Sequence, residues 1–214
     1  PLYGAHNTSS RIVEQLSWSL PQKKRVWQKV VQEKINHQAD LLSLVDLNDE
    51  SEVIRQYSLD VRSGDSSNRE AVAAKYYFSA LFGNEFCRDD DTPLNAALNY
   101  GYSIVMSTVA REIVSRGYLT QTGICHRSEF NQFNFACDLM EPFRPVVDKT
   151  ILSKFEGDFS KELRHHLSDL VNEELPYKDG RYRLSSVISG FVQDCLNSLN
   201  KKTSVSDISS FELS

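Results

Sequence analysis

An uncharged stretch in the middle of the chain constrains the fold more than any other feature. No Asp, Glu, Lys or Arg occurs from residue 92 to residue 110, and Pro93 near its start and Gly117 after it are typical of helix boundaries. A membrane span is the first alternative, but the stretch holds many polar side chains: Asn95, Asn99, Tyr100, Tyr102, Ser103, Ser107 and Thr108. The sequence therefore predicts a central helix over residues 93–117, buried on nearly all sides.

Helical periodicity continues along most of the remaining chain. It predicts helices over residues 22–45, near 50–58, over 67–83, over 131–141, and over about 159–172 and 184–200. No run of alternating apolar and polar residues is long enough to predict a strand. We therefore expect an all-α protein, a compact bundle of several helices around the central one.

Charge is unevenly distributed. The chain carries 24 basic and 29 acidic residues, a net charge of −5, which by itself argues against a nucleic-acid partner. Residues 1–38, however, hold six cations and two acids, and most of these cations lie in the predicted helix that begins at residue 22. Such a helix can follow a phosphate backbone, or it can simply present a solvated face.

The four cysteines show no spacing typical of a zinc site or of a disulfide framework: Cys87, Cys125, Cys137 and Cys195. No secretory signal is visible in the sequence. Free thiols without a signal peptide favour a reducing, cytoplasmic location.

Polar residues recur at helical intervals in an otherwise apolar stretch: Asn131, Asn134, Asp138 and Glu141. At 100° per residue they fall within an arc of about 80° on a helix. Asp138 and Glu141, three residues apart, project from one face. Such a pair can bind a hard cation such as Mg²⁺ or Mn²⁺, or it can form a salt bridge with Arg144 or Arg127. Both interpretations remain open from spacing alone.

Glu70 and His126 are further candidates. Glu70 lies early in its predicted helix, on a side that otherwise carries apolar residues, but it also completes a capping box with Ser67. His126, after a turn and before the polar helix, can serve as a metal ligand or general base, although a lone histidine often has neither role. If Glu70, His126 and an acid of the polar helix converged, they would form a divalent-metal site suited to phosphodiester chemistry.

Three segments carry a resemblance to a known family. They are "SNREAVAAKYYFSALFG", "PLNAALNYGYSIVMSTVAREIV" and "HRSEFNQFNFACDLMEPFRPVVD". In this order they resemble the helical catalytic domain of the universal CRISPR-associated integrase of spacer acquisition, in its type II form. The resemblance covers most of the chain and is densest over residues 67–149.

The resemblance implies a catalytic metal. Carried over motif by motif, Glu70, His126 and Glu141 would hold Mg²⁺ or Mn²⁺, and Asp138 matches a second acidic position beside the metal. Many members have Asp where this chain has Glu141. The implied reaction is a transesterification, in which a DNA 3′-hydroxyl attacks a phosphodiester and inserts spacer DNA into the repeat array. We expect Glu141→Ala to preserve or raise stability without metal, because it relieves repulsion between carboxylates.

The resemblance also implies partners and boundaries. Double-stranded DNA, as spacer precursor and leader-repeat, would contact a set of mostly basic residues: Lys23, Arg25, Lys29, Lys75, Arg127, Asp138 and Arg144. A small ferredoxin-like CRISPR-associated protein would be the protein partner, the complete protein would be a homodimer, and no membrane is involved. We expect residues 1–20 to follow a β-domain that this chain lacks, residues 21–200 to form the helical catalytic domain, and residues 201–214 to form a flexible tail. The alternative is a catalytically silent helical scaffold that binds DNA or protein.

Overall fold

A computed structural model describes residues 8–213 and places nine α-helices and one β-hairpin in that range. The helices are α1 Thr8–Leu16, α2 Leu20–Leu44, α3 Asn48–Leu59, α4 Arg69–Phe82, α5 Pro93–Ser115, α6 Asn134–Met140, α7 Arg144–Lys154, α8 Lys161–Asp169 and α9 Leu184–Leu199. The hairpin strands are β1 Glu174–Tyr177 and β2 Gly180–Arg183, and a 3₁₀ turn, Glu141–Phe143, joins α6 to α7. The predicted all-α class is confirmed. The first seven residues of the predicted N-terminal segment lie outside the described range.

Helix α5 begins as its sequence predicts. Thr92 caps it by accepting a hydrogen bond from the Asn95 N–H at 3.2 Å, and Gly117, with φ of 84°, follows its end. The helix packs against α6, α7, α8 and α9. It is not buried on nearly all sides, because a narrow stripe of small and polar residues is exposed: Ala96, Asn99, Ser103 and Ser107. Within residues 8–213, no helix is long and apolar enough to cross a bilayer.

Helix α2 is the second organising element. The side chains that its sequence predicts to face inward are all buried: Val26, Trp27, Val30, Val31, Ile35 and Leu41. The helix packs against α3, α4, α7 and α9, and against the turn between α6 and α7. A side chain on its buried face therefore reaches the point where α4 and the α6–α7 turn meet.

The β-hairpin is absent from the sequence prediction. Its antiparallel strands pair Glu174 with Arg183 through Tyr177 with Gly180, and Lys178 adopts a φ of 55° in the tight turn. With four residues each, the strands are too short to show a reliable alternation.

The C-terminal segment also differs from expectation. Its composition predicts a flexible tail over residues 201–214, whereas the structure buries Ile208, Phe211 and Leu213. The Phe211 ring stacks on Phe143 with 5.0 Å between centroids and an interplanar angle of 3°. Three apolar side chains in a polar segment are enough to fix it against the core.

Candidate active site

Glu70 does not act as a helix cap. The side chain of Asp65 takes that role, accepting hydrogen bonds from the backbone N–H groups of Arg69 at 2.8 Å and Glu70 at 3.0 Å. The Ser67 hydroxyl instead donates to the Asp60 carbonyl at 3.5 Å, so the predicted capping box does not form. The Glu70 carboxylate is therefore free to point away from its own helix, and its Oε1 lies 2.8 Å from the Lys34 Nζ.

Glu141 lies in the turn between α6 and α7 and is almost fully buried. Its Oε2 lies 2.5 Å from the Lys34 Nζ, and its Oε1 accepts a hydrogen bond from the Arg144 Nε at 2.9 Å. Burial alone would raise the pKa of Glu141, but the charges of Arg144 and Lys34 outweigh burial and hold this pKa well below its usual value. Glu141 is therefore a carboxylate with two cationic partners.

Lys34 joins the two carboxylates. It extends from the buried face of α2, and its side chain is only 9% exposed. Burial would lower the pKa of Lys34, but the charges of Glu141 and Glu70 reverse this effect and raise it. A buried ammonium thus lies between the two predicted metal-binding carboxylates.

These ion pairs overturn the expectation for Glu141→Ala. That expectation rests on carboxylates that repel one another in the metal-free protein. The structure instead pairs Glu141 with Lys34 and Arg144, so removing it would leave two cations without their shared anion. The open alternative of a salt bridge to Arg144 is therefore realised.

His126 is held by Asp138. The fully buried Asp138 carboxylate accepts hydrogen bonds from the backbone N–H groups of Ile124, Cys125 and His126, at 2.6, 3.1 and 2.9 Å. Its Oδ1 also lies 2.7 Å from the His126 Nδ1. Because Nδ1 is occupied, Nε2 is the ring nitrogen that remains to meet a ligand.

The same contacts place Asp138 inside the protein. Its carboxylate is enclosed by the loop whose N–H groups donate to it. Asp138 is therefore not positioned to make the DNA contact that was predicted for it. Asn134, one helical turn earlier, braces this loop in a similar way. It accepts from the Ser128 N–H at 3.2 Å and donates to the Gln121 and Ser128 carbonyls. The polar face of α6 therefore organises the His126 loop and, one turn further on, supplies Glu141.

Close packing in this loop requires a glycine at position 123. A β-carbon there would lie 2.5 Å from the His126 carbonyl oxygen and 2.6 Å from the Asp138 Oδ2. Both distances are shorter than a van der Waals contact, and the neighbouring atoms are backbone or buried carboxylate. Any other residue at position 123 would push the His126 loop away from Asp138.

His126 shares the electrostatic field of the two carboxylates. The hydrogen bond with Asp138 is the main cause of its raised pKa, burial opposes the rise, and the charges of Asp138, Glu141 and Glu70 add to it. Its ring also meets the edge of Trp27, with 5.8 Å between centroids. The charges of both Glu70 and Glu141 thus act on His126.

The three side chains do not form a ready-made metal cage. Within residues 8–213, no three His, Cys, Asp or Glu side chains are grouped closely enough to hold a metal ion. The two carboxylates nevertheless suit a hard divalent cation, because they converge on one cationic atom. The residues therefore fit such a cation if the Lys34 ammonium gives way.

Two of the predicted DNA-contacting residues adjoin His126. Lys23 and Arg127 line an open groove of about 540 Å³ together with His126, Asn131 and Asn134. Burial and the charge of Arg127 lower the pKa of Lys23. The groove therefore joins positive charge to the imidazole.

The other predicted DNA contacts are placed differently. Lys29 forms an ion pair with Glu33 at 2.5 Å, and Arg25 donates to the Gln22 Oε1 at 2.7 Å beside a separate depression. Lys75 is exposed on α4, and Arg144 lies over the Tyr102 ring at 4.5 Å while it pairs with Glu141. Neither Arg25 nor Lys29 lines the groove beside His126.

A buried hydrogen-bonded network of two tyrosines and an aspartate lies next to Arg144. It was not predicted from the sequence. Asp148 accepts hydrogen bonds from the hydroxyls of Tyr102 at 2.5 Å and Tyr77 at 2.8 Å. Burial raises the pKa of Asp148 to about 6, although the two hydrogen bonds and Arg144 oppose the rise. Because Tyr102 also lies under Arg144, the network continues to Glu141.

Lys34 was not predicted as a site residue either, although its position in the sequence indicates that it is buried. It falls three residues after Val31 and seven after Trp27, in phase with the apolar face of α2. A lysine in that phase indicates a buried partner of opposite charge.

Together these features define an all-α domain in which two carboxylates from separate elements meet a buried lysine, and comparison with known proteins gives its family. The family described as CRISPR associated protein Cas1 matches residues 2–164. The chain belongs to this family.

Among relatives, the CRISPR-associated endonuclease Cas1 of Neisseria meningitidis is 39% identical over 178 residues, which cover 82% of this chain and 59% of that protein. One Cas1 endonuclease of Thermus thermophilus is 35% identical over 95 residues, or 40% of this chain and 30% of that protein. The chain therefore spans little more than half the length of the meningococcal relative.

Solved structures share the fold. A casposase bound to its integration product superposes with a TM-score of 0.74 at 19% identity, covering 94% of this chain and 68% of that one. A Cas1 protein from Thermotoga maritima gives a TM-score of 0.67 at 16% identity, covering 87% and 69%. A chain of a Cas6-RT-Cas1–Cas2 complex gives a TM-score of 0.73 at 19% identity, covering 96% of this chain and 27% of that one.

Proposed function

We propose that this chain is the helical catalytic domain of a divalent-metal-dependent DNA integrase and endonuclease of CRISPR adaptation. The observation that most supports this function is that Glu70 and Glu141, from separate elements, both lie next to the Lys34 ammonium. The charges of both carboxylates also act on His126. Family membership supports it further, because the relatives are named endonucleases and one protein of the same fold is a casposase bound to an integration product.

In this proposal Glu70, His126 and Glu141 would hold Mg²⁺ or Mn²⁺, which when bound neutralises charge on the transferring phosphate and the leaving oxygen. Asp138 fixes the His126 ring through Nδ1 and so presents Nε2. Lys23 and Arg127 bind phosphates of the DNA in the adjoining groove. Arg144 remains on Glu141 and keeps that carboxylate ionised.

The proposed reaction is a direct transesterification. A DNA 3′-hydroxyl oxygen forms a bond to the phosphorus of a target phosphodiester, and the bond from that phosphorus to its original 3′-oxygen breaks. The hydroxyl proton passes to solvent, and the departing 3′-oxygen takes up a proton. The number of phosphodiester bonds is unchanged, so no ATP and no covalent protein intermediate are required.

The proposal extends to the partners of the complete protein. Spacer precursor DNA and leader-repeat DNA would be the two double-stranded substrates. A small ferredoxin-like CRISPR-associated protein would bridge integrase homodimers. In support, two solved structures with a chain of similar fold are Cas6-RT-Cas1–Cas2 complexes.

A second candidate function follows from the ion pairs. Both oxygens of Glu141 have cationic partners in Lys34 and Arg144, and Glu70 also meets Lys34. This arrangement favours a catalytically silent scaffold that binds DNA or protein and uses its carboxylates structurally.

A strand-transfer assay separates the two functions. The complete protein and its small CRISPR-associated partner would receive labelled spacer DNA and leader-repeat DNA, with Mn²⁺ or with chelator. The integrase function predicts metal-dependent transfer and a loss of about 100-fold or more in Glu70→Gln and His126→Ala. Matched changes of exposed residues, Glu85→Gln and His165→Ala, should retain transfer. Transfer that is absent from the wild type would favour the scaffold, and transfer that neither site variant affects would refute the assignment of Glu70 and His126 to the active site.

A further inference from the structure

Lys34 occupies an unusual position for a lysine. Its side chain is 9% exposed, on the apolar face of α2, and its Nζ lies 2.8 Å from the Glu70 Oε1 and 2.5 Å from the Glu141 Oε2. Neither carboxylate belongs to α2, so one ammonium connects three separate elements of the fold. Burying an ammonium is costly unless it is paired and hydrogen-bonded, and both carboxylates meet that need.

The two carboxylates also repel each other. Glu70 and Glu141 both lie within hydrogen-bonding distance of the same nitrogen, so their negative charges are close to each other. Like charges at such a separation repel strongly in a buried site. A cation between them cancels the repulsion and keeps both side chains in place.

We propose that Lys34 is the resident counter-ion of this site, occupying the cation position between Glu70 and Glu141 until a divalent cation displaces it. The inference rests on the proposed function, in which those two residues bind the metal. Lys34 is then a positioning residue, because it holds the carboxylates ready and competes with the metal for them.

Displacement of the ammonium has a consequence for DNA binding. The Lys34 side chain is a flexible four-carbon stem, so its ammonium can swing away from the carboxylates. The displaced cation needs a new anion, and a DNA phosphate in the site would supply one. Metal and DNA would therefore bind more tightly together than separately, and each would raise the affinity for the other by the same factor.

Metal affinity provides the first test, without any need for catalysis. Isothermal titration with Mn²⁺ alone would compare the wild type with Lys34→Met, which removes the charge at similar volume, and Lys34→Arg, which retains the charge. Loss of the competing charge should tighten Mn²⁺ binding by about tenfold or more in Lys34→Met, whereas Lys34→Arg should resemble the wild type. Lys161→Met, an exposed lysine on α8, is the matched control and should not change affinity.

Amine labelling of the wild type provides a second test that does not depend on a variant folding. An acylating reagent should modify Lys34 slowly in chelator, because the amine is buried and paired, and several times faster with Mn²⁺. Peptide mass spectrometry measures both, with Lys161 as the internal reference. Equal Mn²⁺ affinity in wild type and Lys34→Met, with unchanged labelling, would overturn the role of Lys34 and leave the metal site intact. If Mn²⁺ binds neither protein, the metal site of the proposed function fails too.

Discussion

The buried Asp138 carboxylate holds His126 at two points, its backbone N–H at 2.9 Å and its ring Nδ1 at 2.7 Å. The same carboxylate accepts from the N–H groups of Ile124 and Cys125. One side chain of α6 therefore sets both the path of the loop and the orientation of the imidazole. This dual contact makes Asp138 a determinant of the position of His126, although Asp138 itself is fully buried.

Asp138→Asn should weaken both stability and activity. An amide cannot accept all four hydrogen bonds, because its NH₂ group would face N–H donors. We expect a loss of about 2–4 kcal/mol in the free energy of unfolding and of about 10- to 100-fold in strand transfer. Urea unfolding measures the loss of stability, and a strand-transfer assay measures the loss of activity. An NMR titration should show a lower pKa for His126, because the hydrogen bond with Asp138 is the main cause of its raised pKa. The exposed Asp89→Asn is the control, and equal behaviour of the two variants would contradict the prediction.

Glu141→Gln should destabilise the metal-free protein. The change leaves Lys34 and Arg144 without their shared anion, and breaking a buried ion pair costs about 3–5 kcal/mol. Urea unfolding in chelator tests this, with Glu85→Gln as the exposed control. Lys34→Met should be less harmful in the Glu141→Gln background than in the wild type, by about 1 kcal/mol or more. Additive effects in this double-mutant cycle would show that the two residues do not interact.

Asp148 should make stability depend on pH. Burial raises its pKa from 3.8 to about 6 in the folded protein, so the folded state binds more protons than the unfolded state between these values. The stabilising contribution of protonated Asp148 is therefore full below pH 3.8 and is lost as pH rises through about 6. Relative to the non-titrating Asp148→Asn, the wild type should lose roughly 3 kcal/mol over this interval. Urea unfolding of both proteins at several pH values measures the difference, and parallel curves would refute the assignment.

DNA affinity should depend on Lys23 and Arg127 more than on Lys29. Lys23 and Arg127 line the groove beside His126, whereas Lys29 is already paired with Glu33. Lys23→Ala and Arg127→Ala should each reduce the slope of log affinity against log salt concentration by about 1. Fluorescence anisotropy over a salt series measures this slope. A larger change in this slope for Lys29→Ala than for Arg127→Ala would mean that DNA follows the side of α2 that carries Lys29 and not the groove beside His126.

The C-terminal segment should contribute to stability. Phe211 stacks on Phe143, and its carbonyl lies 3.0 Å from the Nε2 of the buried His37. Phe211→Ala should lower the free energy of unfolding by about 3–5 kcal/mol, the usual cost of removing a buried aromatic ring. The exposed Phe130→Ala is the matched control, since that ring is 96% exposed. A loss below about 1 kcal/mol would mean that the segment packs more loosely in solution.

Much of the helical framework was predictable from the sequence because long amphipathic or capped segments report their own structure. Pro93 and Gly117 bracket α5 closely, and the apolar positions of α2 are buried as expected. The hairpin and the packed C-terminal segment were missed, since β1 and β2 are too short for periodicity and Phe211 finds its partners only in the folded protein. Local patterns cannot reveal contacts between residues distant in the chain.

The site shows the same division. Glu70, His126 and Glu141 could be chosen from motifs, and in the structure Glu70 and Glu141 meet at Lys34. Spacing alone did not place Lys34 in the site, because its partners lie on two other elements. The role of Asp65 as the cap of α4 likewise depends on a loop geometry that no motif fixed.

The contact between Gly123 and Asp138 sets a limit on how this family can vary. A β-carbon at position 123 would collide with the Asp138 carboxylate and the His126 carbonyl, so these positions cannot drift independently. We expect homologues that retain histidine at position 126 to retain both the glycine at position 123 and the aspartate at position 138. Lineages that have abandoned the histidine should be released from both constraints at once. Co-inheritance of the three positions would therefore mark which descendants still depend on the imidazole.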